Sequence, residues 1–231
     1  DLRARLRQTR WPEPETVDDW SQGVPLTYLQ DLCAYWAAGY DWRATEARLN
    51  ALPQFRTQID GLRIHFLHVR SPHPEALPLV ITHGWPGSIV EFLEVVGPLT
   101  NPTAHGGDAA DAFHLVCPSL PGYGFSDKPS RPGWGVDGIA AAWATLMARL
   151  GYVRYGAQGN DWGTSVSSSL AQRAPDHVVG IHLTPPLAPP DPATLGDLTA
   201  REQAALASLE HSAVWDSGYS LEHATRPQTI G

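Results

Sequence analysis

The chain has 231 residues, 42% hydrophobic and 17% charged, which suits one globular domain or one domain with an appendage. Its formal net charge is −8 and no run of Lys or Arg stands out, which argues against nucleic acid and anionic membrane as partners. No apolar run approaches the roughly 18 residues of a membrane span and no signal-peptide pattern opens the chain, so the default is a soluble, cytoplasmic protein.

The chain opens at Asp1 rather than Met, so a trimmed or processed N-terminus is expected. Cys33 and Cys117 both sit among apolar residues. They read as buried thiols in a reducing compartment rather than as a disulfide. The 9 Trp residues suit an apolar, aromatic-lined pocket or, more plainly, core packing.

In chain order, LRARLRQTRWPEP predicts a short basic helix ending at prolines. Leu29, Leu32, Cys33, Tyr35 and Trp36 recur at helical spacing, which predicts helices near 25–38 and 41–51. QFRTQI and LRIHFLHV read as strands joined at Asp60-Gly61, a hairpin turn. From Leu77 the pattern becomes α/β. PLVITHG is a buried strand. SIVEFLEVVGPL is a helix stopped at Gly97-Pro98. AFHLVCPSLPGYGFS is a strand and a Gly/Pro loop, and GIAAAWATLMARLG is an amphipathic helix ended by Gly151. VRYGAQG is a strand, TSVSSSLAQRAP a helix, VVGIHLTPP another strand, and TAREQAALASLEHSAVW a further helix. This alternation predicts a mostly parallel sheet with helices on both faces.

The stretch Gly159-Asn160-Asp161-Trp162-Gly163 lies between a strand and a helix. Glycines there allow a sharp turn and close helix–strand packing, as in a nucleophile elbow, but with a carboxylate in the central position. The plainer reading is that Asp161 caps the next helix. A carboxylate suits backside displacement at an sp³ carbon, giving an ester on the enzyme. Hydrolysis of that ester needs an oxyanion hole. HGWPGS, His83 to Ser88, follows the strand PLVIT, where this architecture supplies one backbone N–H. The predicted hole is therefore Trp85 N–H with Trp162 N–H. The ordinary alternative for HGWPGS is a strand-to-helix turn.

These stretches resemble the microsomal-type epoxide hydrolases, α/β-hydrolases with a meandering N-terminal segment. TRWPE, YLQDLCAYWAAGYDWRATEARLNALPQF, IDGLRIHFLHVRS, THGWPGSIVEF, LPGYGFSDKP, QGNDWG and SGYSLEHATRPQTIG carry the resemblance in family order from end to end. It implies an α/β-hydrolase fold with an N-terminal arm over residues 1–70, the first part of the core over 71–187, and the start of a helical cap over 188–231. It implies Asp161 as nucleophile, Trp85 and Trp162 as the oxyanion hole with Pro86 shaping that loop by a cis bond, and Tyr219 as a cap tyrosine that protonates the opening epoxide. The implied partners are a small apolar epoxide and water, with no cofactor and no metal, in detoxification or aromatic-hydrocarbon catabolism. A homodimer is left open. Asn160 departs from the family, which has glycine before the nucleophile.

The family also uses a second cap tyrosine and a histidine held by an acid, all beyond the region matched here. None of the ten histidines stands at a matching position, and VVGIHLTPP would leave an apolar edge strand. A C-terminal remainder, as a second segment or chain, is expected. Two alternatives stand beside this reading. A haloalkane dehalogenase also uses an Asp-Trp elbow, although Trp85 stands where that class tends to carry Asn. A catalytically silent hydrolase-fold binding protein is the other.

Overall fold

The computed structural model describes residues 1–186 and 190–230. Its contacts divide into two compact units, Asp1–Pro185 and Pro186–Gly231.

The first unit begins with α1 (Leu2–Arg7), α2 (Leu26–Ala38) and α3 (Trp42–Asn50). Asp41 caps α3, accepting from the N–H groups of Arg43 and Ala44. Then comes the hairpin of β1 (Gln54–Ile59) and β2 (Leu62–Val69). Asp60 and Gly61 have φ of 48° and 83°, the positive pair that a two-residue hairpin of native twist requires. β3 (Leu77–Thr82), α4 (Leu93–Thr100), β4 (Phe113–Pro118), α5 (Val136–Arg149), β5 (Tyr155–Asn160), α6 (Trp162–Arg173) and β6 (Val178–Thr184) follow.

Among the described residues the sheet order is β1-β2-β4-β3-β5-β6. β1/β2 and β2/β4 pair antiparallel, whereas β4/β3, β3/β5 and β5/β6 pair parallel. One face carries α5 and α6. Trp143, Leu146 and Met147 of α5 pack there with Ile64, Phe66, Val80 and Val116 of the strands. Trp143 also donates its indole N–H to Thr82 Oγ1 at 3.1 Å, pinning α5 to the end of β3. On the other face, Phe92 and Val96 pack with Ile81, Leu115 and Cys117.

Two expectations need correction. The helix expected to stop at Gly97-Pro98 starts as a 3₁₀ turn, Ile89–Phe92, and α4 then runs through Pro98 to Thr100. Pro98 has no N–H to donate to the carbonyl of Glu94, an exposed residue one turn earlier, so the helix continues with that one hydrogen bond missing. Val96 before Pro98 and Thr100 after it keep the buried face continuous across that position. The two thiols also differ. Cys117 is fully buried, and burial pushes its pKa up; Cys33 on α2 is only half-buried. Both are free.

The second unit contains α7 (Ala200–Trp215), α8 (Gly218–Thr225) and α9 (Pro227–Ile230). A reciprocal capping box starts α7: the Glu202 N–H donates to Thr199 Oγ1, and the Thr199 N–H donates to the Glu202 carboxylate. Residues 187–189 within the expected core-to-cap junction lie outside the described residues.

Candidate active site

β5 runs into α6 through one residue, Asp161. Its φ of 51° and ψ of −123° place a non-glycine residue in sparsely populated backbone space. Such strain costs about 1–3 kcal/mol and is held by its surroundings. Here the Asp161 N–H donates to the Thr184 carbonyl at 3.1 Å, and the Asp161 carbonyl accepts from the Thr164 N–H at 3.0 Å.

Two glycines let the turn close. A Cβ on Gly159 would lie 1.9 Å from the Gly163 carbonyl oxygen. One on Gly163 would lie 2.0 Å from the Thr82 carbonyl oxygen, so α6 touches β3 backbone to backbone. This close approach begins the helix at Trp162, two residues before the expected Thr164.

Asp161 occupies the N-cap position of α6 yet makes no side-chain cap hydrogen bond. Its Oδ1 instead accepts from the Trp85 N–H at 2.7 Å. Gly84 makes room for this contact, since a Cβ there would meet Oδ1 at 2.1 Å. The Trp85–Pro86 bond is cis, as the family resemblance implied.

His83 is completely buried and holds the loop from behind. Its Nδ1–H donates to the Gly84 carbonyl at 3.0 Å, and its Nε2 accepts from the Leu120 N–H at 3.1 Å. Burial lowers its pKa, partly opposed by the Gly84 bond and by the carboxylates of Glu91 and Asp161. A neutral tautomer suits this structural part.

The N–H of Trp162 opens α6 immediately after the carboxylate. Trp85 and Trp162 therefore flank Asp161 from two different elements, both with exposed side chains. Tyr219 belongs to α8 in the second unit. Its ring lies edge-on to His223 at 6.3 Å, and its carbonyl accepts from His223 Nδ1–H at 2.8 Å.

Two neighbours escaped the sequence reading. Asn160 Nδ2 donates to Glu91 Oε2 at 2.7 Å, linking the strand before the nucleophile to the turn after the HGWPGS loop. The Asn160 departure thus adds a polar tie at the elbow. A Cβ on Gly87 would lie 1.3 Å from Glu91 Oε1, so the small residue in the loop makes way for that carboxylate. Tyr123, in the GYGFS loop, stands edge-on to His83 at 5.4 Å. Burial, and secondarily the Asp161 charge, raises its pKa. The HGWPGS and elbow motifs are visible in sequence, but only the folded loops show which side chains meet.

Among the described residues no group of His, Cys, Asp and Glu could hold a metal ion. The local chemistry is that of a carboxylate with a backbone donor on one oxygen, set at a strand–helix turn.

Residues 78–208 match the family described as "alpha/beta hydrolase fold", and the chain belongs to that family. Residues 1–92 match the family described as "Epoxide hydrolase N terminus". A Stigmatella aurantiaca protein, provisionally named an epoxide hydrolase, is 57% identical over all of this chain and 52% of its own length. Epoxide hydrolase 1 of Oryctolagus cuniculus is 35% identical over all of this chain and 55% of its own. The crystal structure of juvenile hormone epoxide hydrolase from Bombyx mori superposes with a TM-score of 0.87 at 32% identity, covering 99% of this chain and 57% of that one. The structure of Aspergillus niger epoxide hydrolase gives 0.85 at 34%, covering 99% and 60%. The chain thus spans about half the length of the curated relatives it matches.

Proposed function

We propose that the protein opens epoxides through an ester on Asp161. The observation that carries this reading is the Asp161 carboxylate, held at positive φ with Oδ1 on the Trp85 N–H and no cap bond of its own. Similarity to epoxide hydrolases along the whole chain supports an epoxide over a haloalkane.

Oδ1 is engaged, so Oδ2 is the attacking oxygen. It forms a bond to one epoxide carbon as that carbon's bond to the ring oxygen breaks. The ring oxygen leaves as an alkoxide and takes a proton from the Tyr219 phenol. Oδ1 becomes the carbonyl oxygen of the new ester. Water then adds to the Asp161 carboxyl carbon after losing a proton to a base. The negative charge develops on Oδ1, where the N–H of Trp85 already lies, and Trp162 N–H is the second donor. Collapse breaks the Asp161 Cγ–Oδ2 bond: Oδ2 leaves in the vicinal diol and takes the proton held by the base, the water oxygen completes the restored carboxylate, and the proton that oxygen carried returns to the Tyr219 phenolate.

The base, its acid partner and the second tyrosine are assigned to polypeptide equivalent to the remaining half of the relatives. Two features of the first unit support such a completing segment. β6 pairs with β5 alone among the described strands, and its Val179 and Ile181 are exposed. Beside them, an apolar trough of about 770 Å³ is lined by Leu79, Ile81, Phe92, Val95 and Ile181. Strands of parallel sheets are ordinarily covered on both faces. In this reading residues 188–231 begin the cap, and the free thiols support a reducing, cytoplasmic setting. Among the described residues no helix is long and apolar enough to cross a membrane.

The test is Asp161→Asn, which keeps a residue type that tolerates positive φ but removes the nucleophile. Epoxide consumption should fall about 10³-fold or more. Retention of the parent rate would refute the assignment.

A further inference from the structure

The parallel ladder between β3 and β5 ends at the pair Thr82 and Gly159. Beyond it the two chains diverge, β3 into the HGWPGS loop and β5 into the elbow. The Trp85 N–H spans the gap with its bond to Asp161 Oδ1. Asn160 Nδ2 spans it again, donating to Glu91 Oε2 at 2.7 Å and so joining the residue before the nucleophile to the turn after the loop. We propose that Glu91 and Asn160 are positioning residues: their bond holds the Trp85 N–H on Oδ1 and thereby sets the rate at which the ester on Asp161 is hydrolysed. The inference rests on the epoxide-opening reading and adds two residues to it, one of them the departure from the family pattern at Asn160.

Anchorage is the first argument. Glu91 stands on the 3₁₀ turn Ile89–Phe92, whose Ile89 and Phe92 are buried with Ile81, Leu115 and Cys117. Ser88 Oγ accepts from the Val90 N–H at 3.2 Å, and the Ser88 carbonyl accepts from the Glu91 N–H at 3.1 Å. The carboxylate therefore rises from a fixed base. Its Oε1 fills the place that a Cβ on Gly87 would take, while Oε2 reaches Asn160, so one side chain braces the loop and grips the strand. A carboxylate acceptor makes that bond stronger than a neutral one. Cost is the second argument. Asn160 Oδ1 is buried and meets no hydrogen-bond partner among the described residues. A buried acceptor left unpaired is unfavourable, so the amide gives up stability for the bond that its Nδ2 makes. The movement of charge is the third. As Oδ2 attacks the epoxide, Oδ1 gives up its share of the carboxylate charge and becomes a neutral ester carbonyl, so a donor on it does not speed that step. When water adds, Oδ1 becomes an oxyanion, and a donor already in place lowers the barrier. Loosening the tie should slow ester decay without slowing ester formation.

The test follows the ester by rapid quench and mass in the protein as it is naturally made, with benzyloxirane in a single turnover. Decay of a formed ester is first order, so its rate constant is independent of the fraction of protein that is folded. Asn160→Ala and Glu91→Ala should each slow decay by about 10-fold, with formation unchanged within about 2-fold. The double variant should be no slower than either single one, because the two side chains act as one bond. Glu91→Gln keeps an acceptor oxygen and should restore most of the Glu91→Ala loss. A second readout needs no epoxide. In protein isotopically labelled at tryptophan nitrogen, the Trp85 amide should exchange with solvent about 10-fold faster in Asn160→Ala, while that of Trp143, buried in α5, keeps the parent rate. Unchanged ester decay, equal slowing of both steps, additive losses in the double variant or parent exchange at Trp85 would each overturn the positioning role and leave epoxide opening intact. A parent ester that never decays overturns it as well. Failure of the parent to form an ester contradicts epoxide opening itself and removes the hydrolytic role with it, whatever the exchange shows.

Discussion

Gly163→Ala tests whether the elbow depends on backbone contact between α6 and β3. The new Cβ would stand 2.0 Å from the Thr82 carbonyl oxygen, 2.7 Å from its carbon and 3.1 Å from the His83 carbonyl oxygen. All three are backbone atoms, so no side chain can swing away. Relief requires α6 to retreat by about 1 Å, and overpacking of this kind costs roughly 1–3 kcal/mol. The upper end applies here, because Thr82 also anchors the buried Trp143. The same retreat carries Asp161 away from the Trp85 N–H, and a misplacement of about 1 Å can cost about 100-fold in rate. Urea unfolding reads the first effect and single-turnover epoxide consumption the second. Gly196→Ala is the control, since nothing lies within 4 Å of a Cβ there. It should change stability by less than about 1 kcal/mol. A Gly163→Ala protein with parent stability and parent rate would refute the close-packed elbow.

Other consequences follow from the same geometry. Tyr219→Phe should slow ester formation by about 10-fold or more, since a general acid contributes about 10²–10⁴; unchanged rapid-quench alkylation would remove Tyr219 from the reaction. His65 should make stability fall in acid. Its Nε2–H donates to Gln54 Oε1 at 2.9 Å, its Nδ1 accepts from Ser119 Oγ at 2.9 Å, and burial first, then Arg56, lowers its pKa to about 4. The unfolded chain takes up this proton near pH 6.5, before the folded one does. The stabilisation is therefore complete above about pH 6.5 and is lost progressively toward pH 4, by about 3 kcal/mol in all. His65→Gln should flatten the dependence of the urea midpoint across that window; an identical slope would place the titration elsewhere.

Much of this architecture is legible in local pattern. Alternation and Asp60-Gly61 mark the first hairpin, and glycines on either side of Asp161 mark the elbow. Local punctuation misleads at Pro98, where Val96 and Thr100 hold the helix on the sheet despite the lost hydrogen bond. It also misplaces the start of α6, because the contact of Gly163 with Thr82 joins residues 81 positions apart. The Glu91–Asn160 tie and the edge-on meeting of Tyr123 with His83 are contacts between separate loops, which no spacing within one loop specifies. Cys33 shows the converse: apolar neighbours in sequence do not bury a helix face when its ring-bearing side chains, Tyr35 and Trp36, stand exposed.

Covalent capture at Asp161 is the central claim, and peptide mapping by mass tests it most directly. The protein is mixed with benzyloxirane, quenched in acid within one turnover and digested. One epoxide mass on the peptide containing Asp161, absent from Asp161→Asn, is the predicted result. Epoxide consumed with no adduct there, or with the adduct on another side chain, would contradict it.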